Sequence, residues 1–171
     1  MSTDPNQSLM AMPVVEAKGT IDQAEFVRLI QECNGLLYNV ARTMLRSDAD
    51  CSDAIQDTIL CAWRSLNRLR NPAYFRTWLV RILLNQCKTQ LRRRRNDSEI
   101  DGHAAADCVD PESVAIRNAV EALPEKLKPV VVLYYYEDFS VAQIARALSI
   151  PQGTVKSRLA IARNHLRNEL A

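Results

Sequence analysis

The chain has 171 residues, 47% hydrophobic and 25% charged, with a net charge of +2. That is the composition of a globular protein of one average domain or two small ones. It argues against a bilayer-spanning chain, because no apolar run approaches the ~20 residues a span requires. Four glycines and no alternating apolar pattern favour helices over sheet. Five scattered cysteines, with no CxxC pair, read as reduced thiols rather than a disulfide framework. Only His103 and Cys108 come close in sequence, which is no zinc ligand set, so no metal and no cofactor is expected.

Residues 1–19 carry acids and prolines and lack a basic start followed by an apolar core. They read as a mostly disordered lead rather than a signal peptide, with the cytoplasm as the expected compartment. Met10 and Met12 are candidate alternative starts. A first helical block is expected over residues 20–95. Thr20 and Gln23 are spaced as a capping box, and Phe26, Leu29, Ile30, Cys33, Leu36, Leu37, Val40, Met44 and Leu45 recur at helical intervals. A second helix, from about Asp50 to Leu69, should bury Ile55, Ile59, Trp63 and Leu66 on one stripe. Asn71-Pro72 marks a break. A third, longer helix begins near Tyr74, with Phe75, Trp78, Leu79, Ile82, Leu83, Cys87 and Leu91 on its core face.

Residues 96–114 break the pattern. From Asn96 to Ile116 there are six acids and no lysine or arginine, with a turn signal at Asp110-Pro111, so this stretch reads as a flexible acidic linker. A second helical block is expected over residues 115–171. One helix ends near Leu123-Pro124 and another spans about Glu125 to Tyr136. Ser140 and Gln143 form a capping box for a short helix, Val141 to Leu148, and a turn at Ser149–Gln152 leads into a last helix from about Gly153 to Leu170.

The near-zero net charge hides segregation. Arg64 to Arg95 holds ten bases and no acid, Asp48 to Asp57 four aspartates and no base, and Phe139 to Asn168 five bases and no acid. A surface charged only for solubility mixes its signs, whereas basic stripes without acids attract phosphate. On the third helix Thr77, Arg81, Asn85, Lys88 and Arg92 are spaced to share one face. Asparagine there is a short group able to read a base edge, and Tyr74 at the start of the helix is available to stack on an unpaired base. On the second helix Asp53, Gln56, Asp57, Leu60 and Arg64 share the outward face. A leucine among acids and amides marks a protein contact surface.

Ser140 to Leu166 has the layout of a helix-turn-helix: Ile144 and Ala145 inward on the first helix, Val155, Leu159 and Ala162 inward on the second. The outward N-terminal positions Gln152, Thr154, Lys156, Ser157 and Arg158 are those such motifs place in the major groove. Here the sequence resembles the extracytoplasmic-function sigma factors of bacterial RNA polymerase, over nearly the whole chain after Ile21. Asp53-Ala54-Ile55-Gln56-Asp57, ending at Trp63, is similar to the motif with which that family docks on the clamp helices of the polymerase largest subunit. Phe75 to Ile82 followed by Asn85 is similar to its promoter-melting helix, and Ile150-Pro151-Gln152-Gly153-Thr154-Val155-Lys156-Ser157-Arg158-Leu159 to its C-terminal reader.

The resemblance implies an all-α fold of two small helical domains, the C-terminal one a helix-turn-helix, and a sigma factor that is not itself an enzyme. It implies as partners core RNA polymerase, through the clamp helices and the beta flap, promoter DNA, and an anti-sigma factor, with a stress or envelope-response regulon. Asp53, Gln56, Asp57 and Leu60 would bind polymerase. Tyr74, Thr77, Arg81, Asn85, Lys88 and Arg92 would serve the minus-ten element, with Asn85 capturing a flipped base. Gln152, Thr154, Lys156, Ser157 and Arg158 would read the minus-thirty-five element. The acidic linker would either mimic nucleic acid in the polymerase channel or act as a solvating tether. Two departures stand out: Ser149 where a turn glycine is common, and Ala160-Ile161 in place of a pair often aromatic or histidine followed by arginine, so contacts beyond Arg158 do not carry over. The alternative, a stand-alone helix-turn-helix regulator, accounts for neither the Arg64–Arg95 stripe nor the acidic patch.

Overall fold

The computed structural model describes residues 21–97 and 111–170, with side chains over 21–94 and 115–169. The expected lead and most of the expected linker lie outside these residues. Eight α-helices account for most of the described chain: α1 Gln23–Glu32, α2 Asn34–Arg42, α3 Asp48–Arg64, α4 Phe75–Asp97, α5 Pro111–Ala122, α6 Lys128–Val131, α7 Val141–Leu148 and α8 Gln152–Leu170. Two 3₁₀ turns, Leu66–Arg68 and Pro72–Tyr74, join α3 to α4, and a π-helical turn, Val132–Tyr136, continues α6. No strand occurs among the described residues.

Several boundaries follow from capping chemistry that apolar periodicity does not reveal. The first helix is capped by Asp22, whose Oδ1 accepts from the Glu25 amide at 2.8 Å; Thr20, the expected cap, lies outside the described residues. It stops at Cys33, just before Asn34-Gly35, two poor helix formers, so the first apolar run becomes two helices. Helix α3 starts at Asp48, capped by Ser47, rather than at Asp50, and ends at Arg64 rather than Leu69. Helix α5 begins at Pro111, inside the expected linker, as suits a proline in a first helical turn. The helix expected from Glu125 begins at Lys128 and ends in the π turn.

The buried side of α3 is rotated from the expected stripe. Cys51, Ala54, Thr58 and Ala62 are buried, Ile55, Ile59 and Leu66 are half-buried, and Trp63 is 45% exposed. Small residues on that side let α3 lie close against α2 and α4, which a row of large ones would hold apart. The Thr58 hydroxyl satisfies itself by donating to the Ala54 carbonyl at 2.6 Å. Helix α4 is central, packing on α2, α3 and α7. Its buried residues fall in two stripes, Phe75, Leu79, Leu83 and Cys87, and Thr77, Val80 and Leu84; Trp78, Ile82 and Leu91 are only half-buried. Phe75 sits edge-on to Phe26, centroids 6.0 Å apart, and 5.9 Å from the Trp78 ring. Phe75→Ala is expected to cost about 3–5 kcal/mol, visible as a large drop in the urea midpoint; an unchanged midpoint would show that this cluster does not hold α4 in place.

Among the described cysteines all four are free, Cys33, Cys51 and Cys87 buried and Cys61 half-buried. Burial pushes the Cys87 thiol up to about 12, with nearby Cys51 adding to the rise. Burial likewise raises Cys33 and Cys51. Iodoacetamide at mild alkaline pH should therefore label Cys61 first of the four and leave Cys87 unmodified until urea unfolds the chain, read by peptide mass spectrometry. Fast labelling of Cys87 in the folded chain would contradict this packing.

Candidate polymerase and nucleic-acid interfaces

The four aspartates around α3 divide into two sorts. Asp48 accepts from the Tyr38 hydroxyl at 3.1 Å and lies 3.6 Å from the Arg42 guanidinium. Asp50 is buried and pairs with Arg94 at 2.6 Å, so one arginine of the 92–95 run turns inward to neutralise it. Asp53 and Asp57 are the other sort. Among the described residues, no hydrogen bond or ion pair engages the side chains of Asp53, Gln56 or Asp57. Asp53 and Gln56 are exposed, and Asp57 is half-buried. Leu60 is 53% exposed one turn beyond Gln56, as expected, and Trp63 follows three residues on, leaning on Phe26 at 5.1 Å. Trp63 is thus part of an exposed apolar and acidic face. Its size suggested the core, and the signal that could have placed it was the small-residue row Cys51, Ala54, Thr58, Ala62.

On α4 the side chains of Arg81, Asn85, Lys88 and Arg92 are exposed at i, i+4, i+7 and i+11, one continuous face. Among the described residues none of the four has a side-chain hydrogen bond or ion pair. Thr77, placed on that face from its spacing, is instead only 6% exposed. It lies one turn beyond Tyr74, whose ring is covered by the Arg146 guanidinium of α7 at 4.9 Å, so α7 closes over this part of α4. Tyr74 remains exposed on its other side.

The covering belongs to a wider seam between the two helical blocks. Most of their buried apolar residues form one cluster that runs from Phe26 and Leu37 through Val80 and Leu84 to Ile144 and Val155, while Leu123, Leu127, Val131 and Ala162 form a smaller one within the second block. Glu137, which follows the π turn, accepts from Asn39 Nδ2 at 2.9 Å and lies 3.5 Å from the Arg76 guanidinium, which also sits over the Phe139 ring at 5.2 Å. The π turn sets Glu137 at this position and leaves Tyr134, Tyr135 and Tyr136 exposed. None of this seam is legible from periodicity. Glu137→Lys removes an acceptor from two partners and sets a cation beside Arg76. It should weaken the seam by about 1–3 kcal/mol and enlarge the radius of gyration in small-angle scattering at unchanged helix content.

The C-terminal block follows the expected helix-turn-helix. Ser140 and Gln143 form a reciprocal capping box, with contacts of 2.8 and 3.2 Å. Ile144, Ala145, Val155, Leu159 and Ala162 are all buried. Ser149 takes the left-handed conformation, φ 56°, at the C-terminus of α7, a position where glycine carries no steric penalty. Gln152, Lys156 and Ser157 are exposed, while Thr154 and Arg158 are half-buried. The Ser157 hydroxyl donates to the Thr154 carbonyl, and Arg158 reaches back to the Lys126 carbonyl at 3.5 Å.

Residues 29–96 match the family model of sigma-70 region 2 and residues 113–166 that of sigma-70 region 4. The chain is 33% identical over 150 residues to the ECF RNA polymerase sigma factor SigM of Mycobacterium tuberculosis, covering 85% of this chain and 76% of SigM. It is 30% identical to the ECF RNA polymerase sigma-E factor of Salmonella typhimurium, with 96% of both chains covered. Among solved structures it resembles the sigma factor RpoE in complex with the anti-sigma factor NepR from Bartonella quintana, with a TM-score of 0.74 at 24% identity over 85% of this chain and 96% of that one. With two region models in the expected order and relatives of this identity along its length, the chain belongs to the ECF RNA polymerase sigma factors, which bind core RNA polymerase and direct it to promoters.

Proposed function

We propose a division of labour along the chain. Residues up to about 97 form the core-binding and minus-ten domain, and residues from about 111 form the minus-thirty-five reader, with the acidic segment tethering them. Asp53, Gln56, Asp57 and Leu60, extended by Trp63, dock on the clamp helices of the polymerase largest subunit, and the C-terminal domain meets the beta flap. Arg81, Lys88 and Arg92 hold the phosphates of the melted strand. Asn85 takes an unstacked base of the minus-ten element, and Tyr74 offers a ring face to a neighbouring base once Arg146 has withdrawn. Gln152, Thr154, Lys156, Ser157 and Arg158 read the minus-thirty-five duplex. The protein acts in the cytoplasm, performs no catalysis of its own, and is held in check by an anti-sigma factor, a protein of the kind found in complex with the RpoE that it resembles.

The observation that carries this reading is the row on α4. Three bases and one asparagine stand exposed along a single helix face with no intramolecular partner among the described residues, which is the arrangement a backbone-tracking, base-capturing surface requires. Titration of the labelled chain with bacterial core polymerase tests it. The expected result is a one-to-one complex and no sequence-specific duplex binding by the chain alone. Specific duplex binding without polymerase, and no complex with core, would instead identify a stand-alone regulator.

A further inference from the structure

Beyond Arg158 the outward face of α8 changes character. Ser157, Ala160, Ile161 and Asn164 follow at i, i+3, i+4 and i+7, opposite the buried row Val155, Leu159, Ala162, so they share the outward side of the helix. Ala160 is exposed and Ile161 is 49% exposed. An exposed isoleucine elsewhere on the surface asks for no explanation. Here it brings no advantage in helix propensity, since a branched side chain is a poorer helix former than alanine or arginine, and it projects from the helix whose N-terminal end carries the reading residues. At 1.5 Å per residue, Ile161 lies about 6 Å along the axis from Ser157. That separation is well inside the ~12 Å width of a major groove occupied by Ser157. One isoleucine beside one alanine is far too small a patch to hold a protein partner, but it matches the size of a single methyl group. In the major groove the only apolar group on a base edge is the C5-methyl of thymine.

We propose that Ile161, with Ala160 leaving room beside it, selects thymine in the minus-thirty-five element by packing on its C5-methyl group. The inference rests on the reading that α8 enters the major groove. It adds that one position of the duplex element is chosen by an apolar contact rather than by a hydrogen bond to guanine or adenine.

The test uses the full chain assembled with core polymerase and promoter fragments carrying a randomised upstream duplex, the bound fraction being sequenced. A thymine is expected at one fixed upstream position. Replacing that thymine by uracil, which removes only the methyl, should weaken binding about three- to fivefold. The uracil penalty should vanish in Ile161→Ala and persist in Ile161→Val, and Ile161→Arg should shift the selected base from thymine to guanine. Ile161 is exposed, so these variants should fold, which circular dichroism checks. A wild-type complex indifferent to uracil at every upstream thymine, or a uracil penalty retained by Ile161→Ala, overturns the proposal. Selection of no upstream sequence at all removes the groove-reading on which the proposal rests, and the proposal with it.

Discussion

Asn85→Ala is expected to bind core polymerase as tightly as the unaltered chain and to open promoters about ten- to a hundredfold less, the range set by about 1–3 kcal/mol for a good side-chain contact with a base edge. The reasoning is geometric. Asn85 is exposed midway along the Arg81–Arg92 row, and its side chain has no hydrogen bond among the described residues, so nothing in the fold depends on it. In the proposed reading the neighbouring basic side chains would hold any phosphate regardless of sequence, whereas the amide could pair with a base only after that base has left the stack. Permanganate reactivity of unpaired thymines reads opening directly. Normal reactivity in Asn85→Ala would remove base capture from the account. The charge-only counterpart differs in kind: Lys88→Ala should weaken binding about equally on all promoters and reduce its salt dependence by about one phosphate contact.

The second large effect concerns docking. Replacing Asp53, Gln56 and Leu60 together by alanine is expected to weaken core binding by about 10–100-fold or more, with the exposed leucine supplying the apolar anchor and the polar pair fixing the register. Secondary structure should not change, because Asp53, Gln56 and Leu60 are exposed on α3 and no described side-chain contact holds Asp53 or Gln56. Asp48→Ala is the matching control. Asp48 lies on the same acidic stretch but is engaged by Tyr38 and Arg42, so its loss should leave core affinity nearly unchanged. Equal losses from both variants would mean that general negative charge, rather than this face, drives docking.

The helix-turn-helix was legible in the sequence because its signals are local. The capping box at Ser140 and Gln143 and the turn at Ser149 are fixed by residues a few positions apart, and the inward residues of each helix recur at helical spacing along it. The α4 face was legible for the same reason, except at Thr77, which its spacing puts outward and which is buried in the fold, on a helix that packs against α2, α3 and α7. Periodicity identifies a helix's faces but not how many neighbours the helix has, and α4 has partners on more than one side. The rotation of α3 is not legible in the sequence, because the size of an apolar residue does not by itself place it in the core. The close approach to α4 selects the small residues Ala54 and Ala62 and leaves Trp63 and Leu60 at the surface. The seam around Glu137 joins residues 98 apart in the chain, Asn39 and Glu137, and no local pattern encodes such a pair.

The measurement that tests the central claim most directly is reconstituted transcription: the purified chain with bacterial core polymerase on a fragment library from the source genome. Initiation should occur at a restricted set of fragments, depend wholly on the chain, and fall when Asp53 and Gln56 are replaced by alanine. Initiation indifferent to the presence of the chain, or a chain that binds specific duplexes yet never associates with core polymerase, would contradict the account.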